Sequence, residues 1–384
     1  MLCVRSAERD RAAGGFAVQR AEMPHQRSEG IRGAGRQRQA GPSVACPSVR
    51  SRAVGLALGA VADAIFADPA RWHPVAGFGS CAAALERRWY ADRRSAGVAY
   101  AAVLVAGVVG VGVAAEATTR RRPVTHALAT AVATWAVLGG TSLAAHGKTL
   151  AALLDVPPRS DLEAARALIP ALCGRDPELL DAAGMARAGT ESMAENTSDA
   201  AVAPLLWGAV AGIPGLLGYR AINTLDAMVG YRSPRYLRFG WAAARADDVV
   251  NLVPSRVTAL LSAGLAAAVG GSPRAALAAW RRDAGAHPSP NAGPVEAATA
   301  GALGVGLGGP TAYAHGVEDR PRLGSGPPPT PTDLRRAARL SRLVAAAATV
   351  LACAVAVCRE RLTGWVARYR EIIGTPGRTT RSTR

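Results

Sequence analysis

The residues best suited to chemistry lie in five short polar groups, each adjoining an apolar segment of the chain. The most acidic group, residues 191–199, contains Glu191, Glu195, Asn196 and Asp199. Its three carboxylates are spaced i, i+4 and i+8, so on one helix they would share a face and repel unless a cation bound between them. Because hard carboxylate oxygens suit Mg²⁺ with bound phosphates, we predict a magnesium site here. The alternative is a solvated acidic face.

An earlier group, residues 63–74, places Asp68, Arg71 and His73 in a turn that contains two prolines. Each proline holds the residue before it in extended backbone, which fixes the aspartate and the histidine. Such a turn could bind phosphate or a metal ion. Asp63 interrupts an apolar run, which is costly inside a membrane and indicates a function. The alternative is a turn at the membrane edge with a buried ion pair.

The third group combines arginines with hydrogen-bonding side chains. Arg220, Asn223 and Asp226 are spaced by three residues, so they would share a helical face. Arg220 and Arg232 are natural clamps for phosphate or carboxylate, since a guanidinium group forms paired hydrogen bonds with either anion. This spacing predicts a site for an anionic substrate.

The fourth group contains adjacent aspartates, Asp247 and Asp248, followed by Asn251 and Arg256. It resembles metal-binding faces that hold diphosphate through Mg²⁺, although alone it is a weak motif. Arg256 is a further candidate clamp for phosphate or for a carboxylate. This group therefore predicts a second contribution to metal and phosphate binding.

The fifth group is a loop with two prolines that presents His287, Ser289 and Asn291. A histidine titrates near pH ~6.5 when unperturbed and can therefore act as a base. Glu296 then opens an apolar helix, where a carboxylate also suits the positive helix end. The loop is predicted to contact a substrate.

Apolar segments separate these groups. Ala96–Ala115 and Val124–Ala145 contain no Asp, Glu, Lys or Arg, and each has about the 20 residues that cross a bilayer. Ala200–Gly218 is interrupted by two prolines. Weaker candidates are Val54–Ala67, Val257–Gly271, Ala297–Ala314 and Leu343–Cys358. We predict an all-α, multi-pass membrane protein of four to six spans, with the active site on its polar helical connections. The alternative is a soluble, alanine-rich helical enzyme.

The net charge of +17 lies mainly at the two ends of the chain. Residues 1–50 lack an apolar period and are predicted to be a disordered basic extension. Residues 51–358 form the predicted membrane domain, and 359–384 a basic tail. Arginine-rich ends beside apolar segments favour a cytoplasmic membrane face. No basic helix is interleaved with aromatic residues, which argues against nucleic-acid binding.

In this order, the five groups resemble the cobalamin-biosynthesis membrane family called adenosylcobinamide-phosphate synthase or cobinamide synthase (CobD/CbiB). The resemblance covers about Val54 to Arg342. Ala67 and Ala200 stand where the family pattern leads us to expect glycine. The most specific pieces are ADPARWHPV, ESMAENTSD, YRAINTLDAMVGYR, FGWAAARADDVVNLVPSR and HPSPNAGPVEAATAGALGV.

The resemblance implies an inner-membrane, ATP-dependent acid–amine ligase. It would amidate the propionate carboxylate of adenosylcobyric acid with (R)-1-amino-2-propanol or its O-phosphate, giving adenosylcobinamide or its phosphate. The implied cofactors are Mg²⁺ and ATP. The implied partners are the corrinoid, the amine, membrane lipid and other cobalamin-biosynthesis enzymes.

This chemistry needs metal ligands, anion clamps and a base. The predicted catalytic residues are Glu195, His73, His287 and Asp68. The predicted substrate-binding residues are Arg71, Glu191, Asn196, Arg220, Asn223, Asp226, Arg232, Asn251, Arg256, Ser289 and Asn291. The predicted metal ligands are Glu191, Glu195, Asp199, Asp247 and Asp248.

Two other functions remain open at this level. An intramembrane prenyltransferase also places aspartate-rich Mg²⁺ motifs between helices, but it would give the rigid 287–293 loop no evident role. A transporter often shows repeated halves, and no internal repeat is visible. The sequence contains no Walker, GxGxxG or GxSxG motif, so any nucleotide would bind through the carboxylates and arginines.

Overall fold

The computed structural model describes residues 48–68, 73–155, 162–313 and 316–373. These residues are almost entirely helical, which confirms the predicted all-α class. The elements in chain order are α1 (Ser48–Phe66), α2 (Pro74–Trp89), α3 (Arg94–Thr119), α4 (Pro123–Val137), α5 (Gly140–Leu154), α6 (Leu162–Leu172), α7 (Ala182–Thr197), α8 (Ala203–Val229), α9 (Trp241–Val250), α10 (Leu252–Leu265), α11 (Pro273–Asp283), α12 (Ala292–Leu303), β1 (Leu307–Tyr313), β2 (Gly316–Leu323) and α13 (Pro331–Ile373).

Five helical segments of the described chain are long and apolar enough to cross a membrane, within the predicted range of four to six. They are Arg94–Thr119, Pro123–Leu154, Ala182–Val229, Leu252–Val269 and Pro331–Arg359. Only 11% of the most apolar stretch of α3 is buried, so most of that helix presents apolar side chains outwards, as a lipid-facing helix does.

Two of the weaker candidates for membrane spans are not among these five segments. Val54–Ala67 forms most of α1 but is not among the five segments. Ala297–Ala314 is not one helix, because α12 ends at Leu303 and Gly304 takes a left-handed conformation (φ 74°). The chain then enters an antiparallel hairpin of β1 and β2, which the sequence did not predict.

Two helices extend across the predicted domain boundaries, which stay predictions. Helix α1 begins at Ser48, inside the predicted extension, and α13 continues to Ile373, inside the predicted tail. Residues 1–47 and 374–384 lie outside the described residues, so the predicted disorder of the extension stays a prediction.

Helix α8 reverses direction at Gly212, and we call residues 212–214 the α8 reversal. Gly212 has φ 69° and ψ −149°, and Pro214 follows it. A Cβ atom added to Gly208 would lie 2.8 Å from Leu216, which is possible only if the two halves of α8 lie side by side. Ala200–Gly218 is therefore a helical hairpin, not one straight span.

Side chains from three other helices hold the α8 reversal. Glu116 of α3 accepts hydrogen bonds from the Ile213 backbone N–H (3.0 Å) and from Arg52 of α1 (2.8 Å). His126 of α4 lies 3.1 Å from the same carboxylate. These contacts satisfy the backbone N–H that the broken helix leaves unpaired, which an apolar environment requires. A side chain at Gly212 would collide with Glu116.

Candidate active site

The α8 hairpin brings two predicted metal ligands together. Asn223, on the returning half of α8, donates from Nδ2 to Asp199 Oδ2 (3.2 Å) and to Asp247 Oδ1 (3.3 Å). Asp199 lies in a π-helical turn, Ser198–Val202, between α7 and α8, whereas Asp247 lies on α9. The three polar groups that contain Asp199, Asn223 and Asp247 thus meet at one amide, which joins three separate elements.

A second amide orients the other oxygen of Asp247. Asn251 Nδ2 donates to Asp247 Oδ2 (3.0 Å), and Tyr219 donates its hydroxyl hydrogen to Asn251 Oδ1 (3.0 Å). Burial raises the pKa of Asp247 to about 6, while the two asparagine hydrogen bonds oppose this rise and nearby carboxylates add to it. Asp247 is therefore a carboxylate whose charge is poorly compensated by the protein.

Further carboxylates lie near Asp247. Glu195 is exposed, whereas Asp199, Asp226 and Asp247 are half-buried. The negative charge of Glu195 contributes to the raised pKa of Asp247, and Asp226 lies close enough to Asp247 for their charges to interact. We call these four carboxylates, with Asn223 and Asn251, the acidic recess. Such a concentration of negative charge in a partly buried space favours binding of a cation.

The predicted three-carboxylate face of α7 is not formed. Glu191 is buried in an ion pair with Arg175 and also accepts a hydrogen bond from the Gly308 backbone N–H (2.8 Å). Arg175 lies before α7 and sixteen residues before Glu191, so helical spacing could not reveal this contact. Asp199 follows the end of α7 in a π turn, where the helical spacing no longer applies. Glu191 is therefore a structural residue here, not a free metal ligand.

The remaining donors fit Mg²⁺ in part. No three His, Cys, Asp or Glu side chains in the described chain lie close enough to hold a metal ion by themselves. Asp199 and Asp247, however, both lie within 3.3 Å of Asn223 Nδ2 and offer the hard oxygens that this ion prefers. Mg²⁺ is commonly held by one or two carboxylates plus the phosphates of a substrate. Asp248, the fifth predicted ligand, contacts Arg245 (3.3 Å) instead.

The turn after α1 lies beside the π turn. A Cβ atom on Gly139 would lie 3.6 Å from Asp68 and 3.8 Å from Ala200, so these residues surround one short segment. Burial disfavours the charged form of Asp68, but His73, Ser142 and Arg220 together hold its pKa below the usual value. Arg220 and Asp68 come from different polar groups. They therefore face a common region, as a phosphate-binding site would require.

The hydrogen bonds of this turn determine whether each side chain acts as a donor or as an acceptor. His73 caps α2, because its Nδ1 accepts from the Val75 N–H (3.2 Å), and its Nε2 lies 3.7 Å from Asp68. In the neutral ring Nε2 then carries the hydrogen, so His73 is a donor in this conformation and not the predicted base. Asp63 accepts from the N–H and hydroxyl of Thr141, which fixes the start of α5.

The 287–293 loop is tied to the acidic recess by Asn291. Its Nδ2 donates to the Asp248 carbonyl (2.8 Å), and its Oδ1 accepts from Arg256 (2.9 Å) and Ser255 (3.2 Å). The hydroxyl of Ser289 accepts from the N–H groups of Ala292 (3.1 Å) and Asn291 (3.3 Å), so it caps α12. Asn291 and Arg256 thus lie at the recess, whereas Ser289 supports the loop.

His287 and Glu296 form a separate buried pair. His287 Nε2 lies 3.9 Å from Glu296 Oε1, and both side chains are 2% exposed. Burial, together with the charges of Glu191 and Glu195, raises the pKa of Glu296 well above its usual value, and burial lowers the pKa of His287. Glu296 is therefore neither an exposed helix cap nor accessible to a large substrate, and His287 is not at the open recess.

Three predicted residues lie elsewhere or cannot be placed. Asn196 donates to Ser192 within α7 (3.0 Å and 3.1 Å), and Arg232 is exposed beyond the end of α8. Arg71 lies outside the described residues. Sequence reasoning missed Tyr219, which directly precedes Arg220 in a quoted motif, and Arg175, for which the sequence carried no signal.

Comparisons with known proteins agree with the resemblance. A protein-family model described as CobD/Cbib protein matches residues 56–341. A cobalamin biosynthesis protein CobD of Mycobacterium tuberculosis (strain ATCC 25618 / H37Rv) is 58% identical over 304 residues, covering 79% of this chain and 95% of the relative. A protein of the same description from Rhodobacter capsulatus is 44% identical over 291 residues, covering 74% and 90%. No solved structure matches the chain.

The matched region contains all five polar groups and the acidic recess that they build. It also spans four of the five helical segments suited to a membrane and ends at residue 341, within the first part of the fifth. The chain therefore belongs to the CobD/Cbib protein family of cobalamin biosynthesis.

Proposed function

We propose that the chain is an ATP-dependent acid–amine ligase of the inner membrane. It joins (R)-1-amino-2-propanol, or the O-phosphate of this amine, to the propionate carboxylate of adenosylcobyric acid. The observation that carries the proposal is the convergence of Asp199 and Asp247 on Asn223, beside Arg220 and Asp68. Carboxylates for a cation and a guanidinium for an anion are what phosphate transfer to a carboxylate requires.

The reaction needs two steps, because a carboxylate does not react with an amine unless it is activated. In the first step, a propionate oxygen attacks the γ-phosphorus of ATP, so that an acyl phosphate forms and ADP leaves. In the second step, the neutral amine attacks the acyl carbon, and phosphate leaves with the electron pair of the carbon–oxygen bond. Mg²⁺, when bound, would neutralise the phosphate charge during the first step.

Most residues of the recess have a part in this scheme. Asp199 and Asp247 would hold Mg²⁺, and Asn223 and Asn251 keep these carboxylates in place through the hydrogen bonds described above. Arg220 would hold the transferred phosphate or the propionate, since a planar guanidinium matches either anion. Its neighbour Asp68 would then fix the guanidinium by charge.

The amine arrives as an ammonium ion and must lose a proton before it attacks. Glu195 is the exposed carboxylate of the recess, so it can meet a substrate that enters from water. His73 is excluded from this role in the observed conformation, because the backbone of Val75 donates to its Nδ1. We therefore assign the general base to Glu195. This role needs a group within hydrogen-bond reach of the transferred proton.

Membership of a cobalamin-biosynthesis family favours this function over a prenyltransferase or a transporter. The recess also opens at Glu195, a charged residue, whereas an isoprenoid chain would need an apolar groove. Both alternatives predict that cobyric acid and ATP are not consumed together.

The test uses the full-length protein, purified in detergent and incubated with adenosylcobyric acid, ATP and Mg²⁺. Free aminopropanol and its O-phosphate are supplied in separate reactions. Product and ADP are measured by chromatography. We expect one ADP per amide formed, with one of the two amines. Amide formation without ATP would overturn the ligase mechanism, and no amide with either amine would overturn the proposed function.

A further inference from the structure

A basic groove lies between α5 and α13, and none of its lining residues belongs to the acidic recess. It is a cavity of about 610 Å³ whose charged lining residues are all cations. Lys148 comes from α5, and Arg335, Arg339 and Arg342 come from α13. Leu343 and Ala346 complete the lining, so the groove has a charged end and an apolar end.

The position of the groove along α13 places it at the surface of a membrane. No Asp, Glu, Lys or Arg occurs between Arg342 and Arg359, so 16 uncharged residues follow the groove. At 1.5 Å per residue they extend about 24 Å, which is slightly less than the hydrocarbon core. The arginines at the start of this run must therefore lie at the level of the lipid headgroups, where long basic side chains extend towards water.

The apolar end of the groove continues into a lipid-facing surface. Only a third of the most apolar stretch of Pro331–Arg359 is buried (33%), and Val350, one turn beyond Ala346, is 72% exposed. An acyl chain could therefore run along α13 directly below the cations. A soluble anion would use the charged end of the groove alone.

The cations of the groove are only partly compensated within the described chain. Arg335 forms an ion pair with Asp155 (2.6 Å), in which both side chains are about half exposed. Lys148, Arg339 and Arg342 are exposed. Exposed basic groups that converge on one cavity beside lipid recognise anionic headgroups.

We propose that the basic groove binds the headgroup of an anionic phospholipid, with its phosphate against Arg339, Arg342 and Lys148 and its acyl chain along Ala346 and Val350. The lipid would hold α5 and α13 together. Both helices pack against α7, which carries Glu195 of the acidic recess. The site is separate from the proposed reaction and stands independently of it.

The experiment measures the unfolding temperature of the full-length protein in a neutral detergent during titration with dioleoyl phosphatidylglycerol, dioleoyl phosphatidylcholine or inorganic phosphate. A ligand that binds the folded state raises this temperature by an amount that grows with the ratio of its concentration to its dissociation constant. We expect stabilisation by phosphatidylglycerol only. Equal stabilisation by phosphatidylcholine would overturn the proposal, and so would an equal effect of inorganic phosphate at the same concentration.

Variants test whether phosphatidylglycerol binds in the basic groove. Arg339→Gln/Arg342→Gln should weaken the apparent affinity for phosphatidylglycerol about twentyfold, given the usual contribution of each basic residue near a charged membrane. The matched control is Arg274→Gln/Arg281→Gln, which removes two exposed arginines from α11 and should keep wild-type affinity. If the first variant does not fold, Lys148→Gln changes only an exposed residue and should weaken binding about fivefold. Wild-type affinity in Lys148→Gln would contradict the assignment.

Discussion

Asn223 donates a hydrogen bond of 3.2 Å to Asp199, although 24 residues of mostly helical chain separate them. In a straight helix these residues would lie about 36 Å apart. The contact exists because α8 turns back at Gly212, with Glu116 bound to the freed N–H of Ile213. The geometry of the acidic recess therefore depends on a carboxylate at the far end of the α8 hairpin.

The first prediction concerns Glu116. Glu116→Gln keeps an acceptor for the Ile213 N–H but leaves the guanidinium of Arg52 without its carboxylate partner. The ion pair is partly buried, so we expect the unfolding free energy to fall by about 2 kcal/mol, less than the cost of breaking a fully buried ion pair. Amide formation should fall as well, because a loosened α8 reversal holds Asn223 less firmly against Asp199. Reversible denaturation and the ligase assay measure the two effects.

The control for this prediction is the double variant Arg52→Gln/Glu116→Gln. Because both charges are removed, it should be less destabilised than the sum of the single variants, which reveals their coupling. Strictly additive losses would show that the ion pair does not stabilise the α8 reversal.

The second prediction concerns Glu195. Glu195→Gln keeps the size of the side chain and removes its charge, so it should reduce turnover on the order of a thousandfold without changing membrane insertion. The assay is amide formation across a Mg²⁺ titration. Partial rescue by high Mg²⁺ would assign Glu195 to metal binding, whereas a defect that Mg²⁺ cannot rescue fits the general base.

Glu178→Gln is the matched control, because Glu178 is an exposed glutamate outside the recess. It should change stability by no more than about 0.5 kcal/mol and leave turnover unchanged. Near-normal turnover of Glu195→Gln at low Mg²⁺ would remove Glu195 from both roles.

The third prediction concerns Ala67, where the family pattern led us to expect glycine. Ala67 has φ 51°, in the left-handed region that costs a residue with a Cβ atom about 1 kcal/mol. Ala67→Gly should therefore raise the unfolding temperature by about 2–4 °C. Ala62→Gly, in the regular part of α1, should lower stability by about 1 kcal/mol. Thermal unfolding should show a higher unfolding temperature for Ala67→Gly and a lower one for Ala62→Gly. If the unfolding temperature moved in the same direction for both variants, the backbone strain at Ala67 would be contradicted.

The sequence predicted the local features of the fold well. Charge-free runs predicted the segments α3 and α4–α5, and the spacing of Arg220, Asn223 and Asp226 placed them on one helix, as observed. The resemblance also singled out position 67, whose backbone proves unusual. These features depend on residues that are close in sequence, for which helical periodicity is a reliable signal.

Contacts between distant residues could not be predicted. Pro214 indicated a break in the apolar segment, but not a full reversal, because the carboxylate that holds it belongs to Glu116 on α3. Likewise, i+4 spacing placed Glu191 with the metal ligands, whereas burial beside Arg175 assigns it to an ion pair. In both cases a charged residue from a distant part of the chain decides the structure, and single-sequence periodicity carries no information about that partner.

The last prediction follows from the buried pair of His287 and Glu296. His287 Nδ1 accepts from the Ser289 N–H (3.0 Å), so in the neutral ring Nε2 carries the hydrogen and faces Glu296. Burial raises the pKa of Glu296 well above 4.5, so the folded protein keeps a proton that the unfolded chain has released. The stability that Glu296 contributes is therefore fully present below about pH 4.5 and is lost as the pH rises towards its folded pKa. Glu296→Gln mimics the protonated form at every pH, so its unfolding free energy relative to wild type should increase by up to about 1.4 kcal/mol per pH unit above pH 4.5. Denaturation at pH 5, 6, 7 and 8 measures this slope, with the exposed Glu163→Gln as the control that should show none. A constant difference between Glu296→Gln and wild type across this range would mean that Glu296 is already ionised in the folded protein, stabilised by His287 and Arg175.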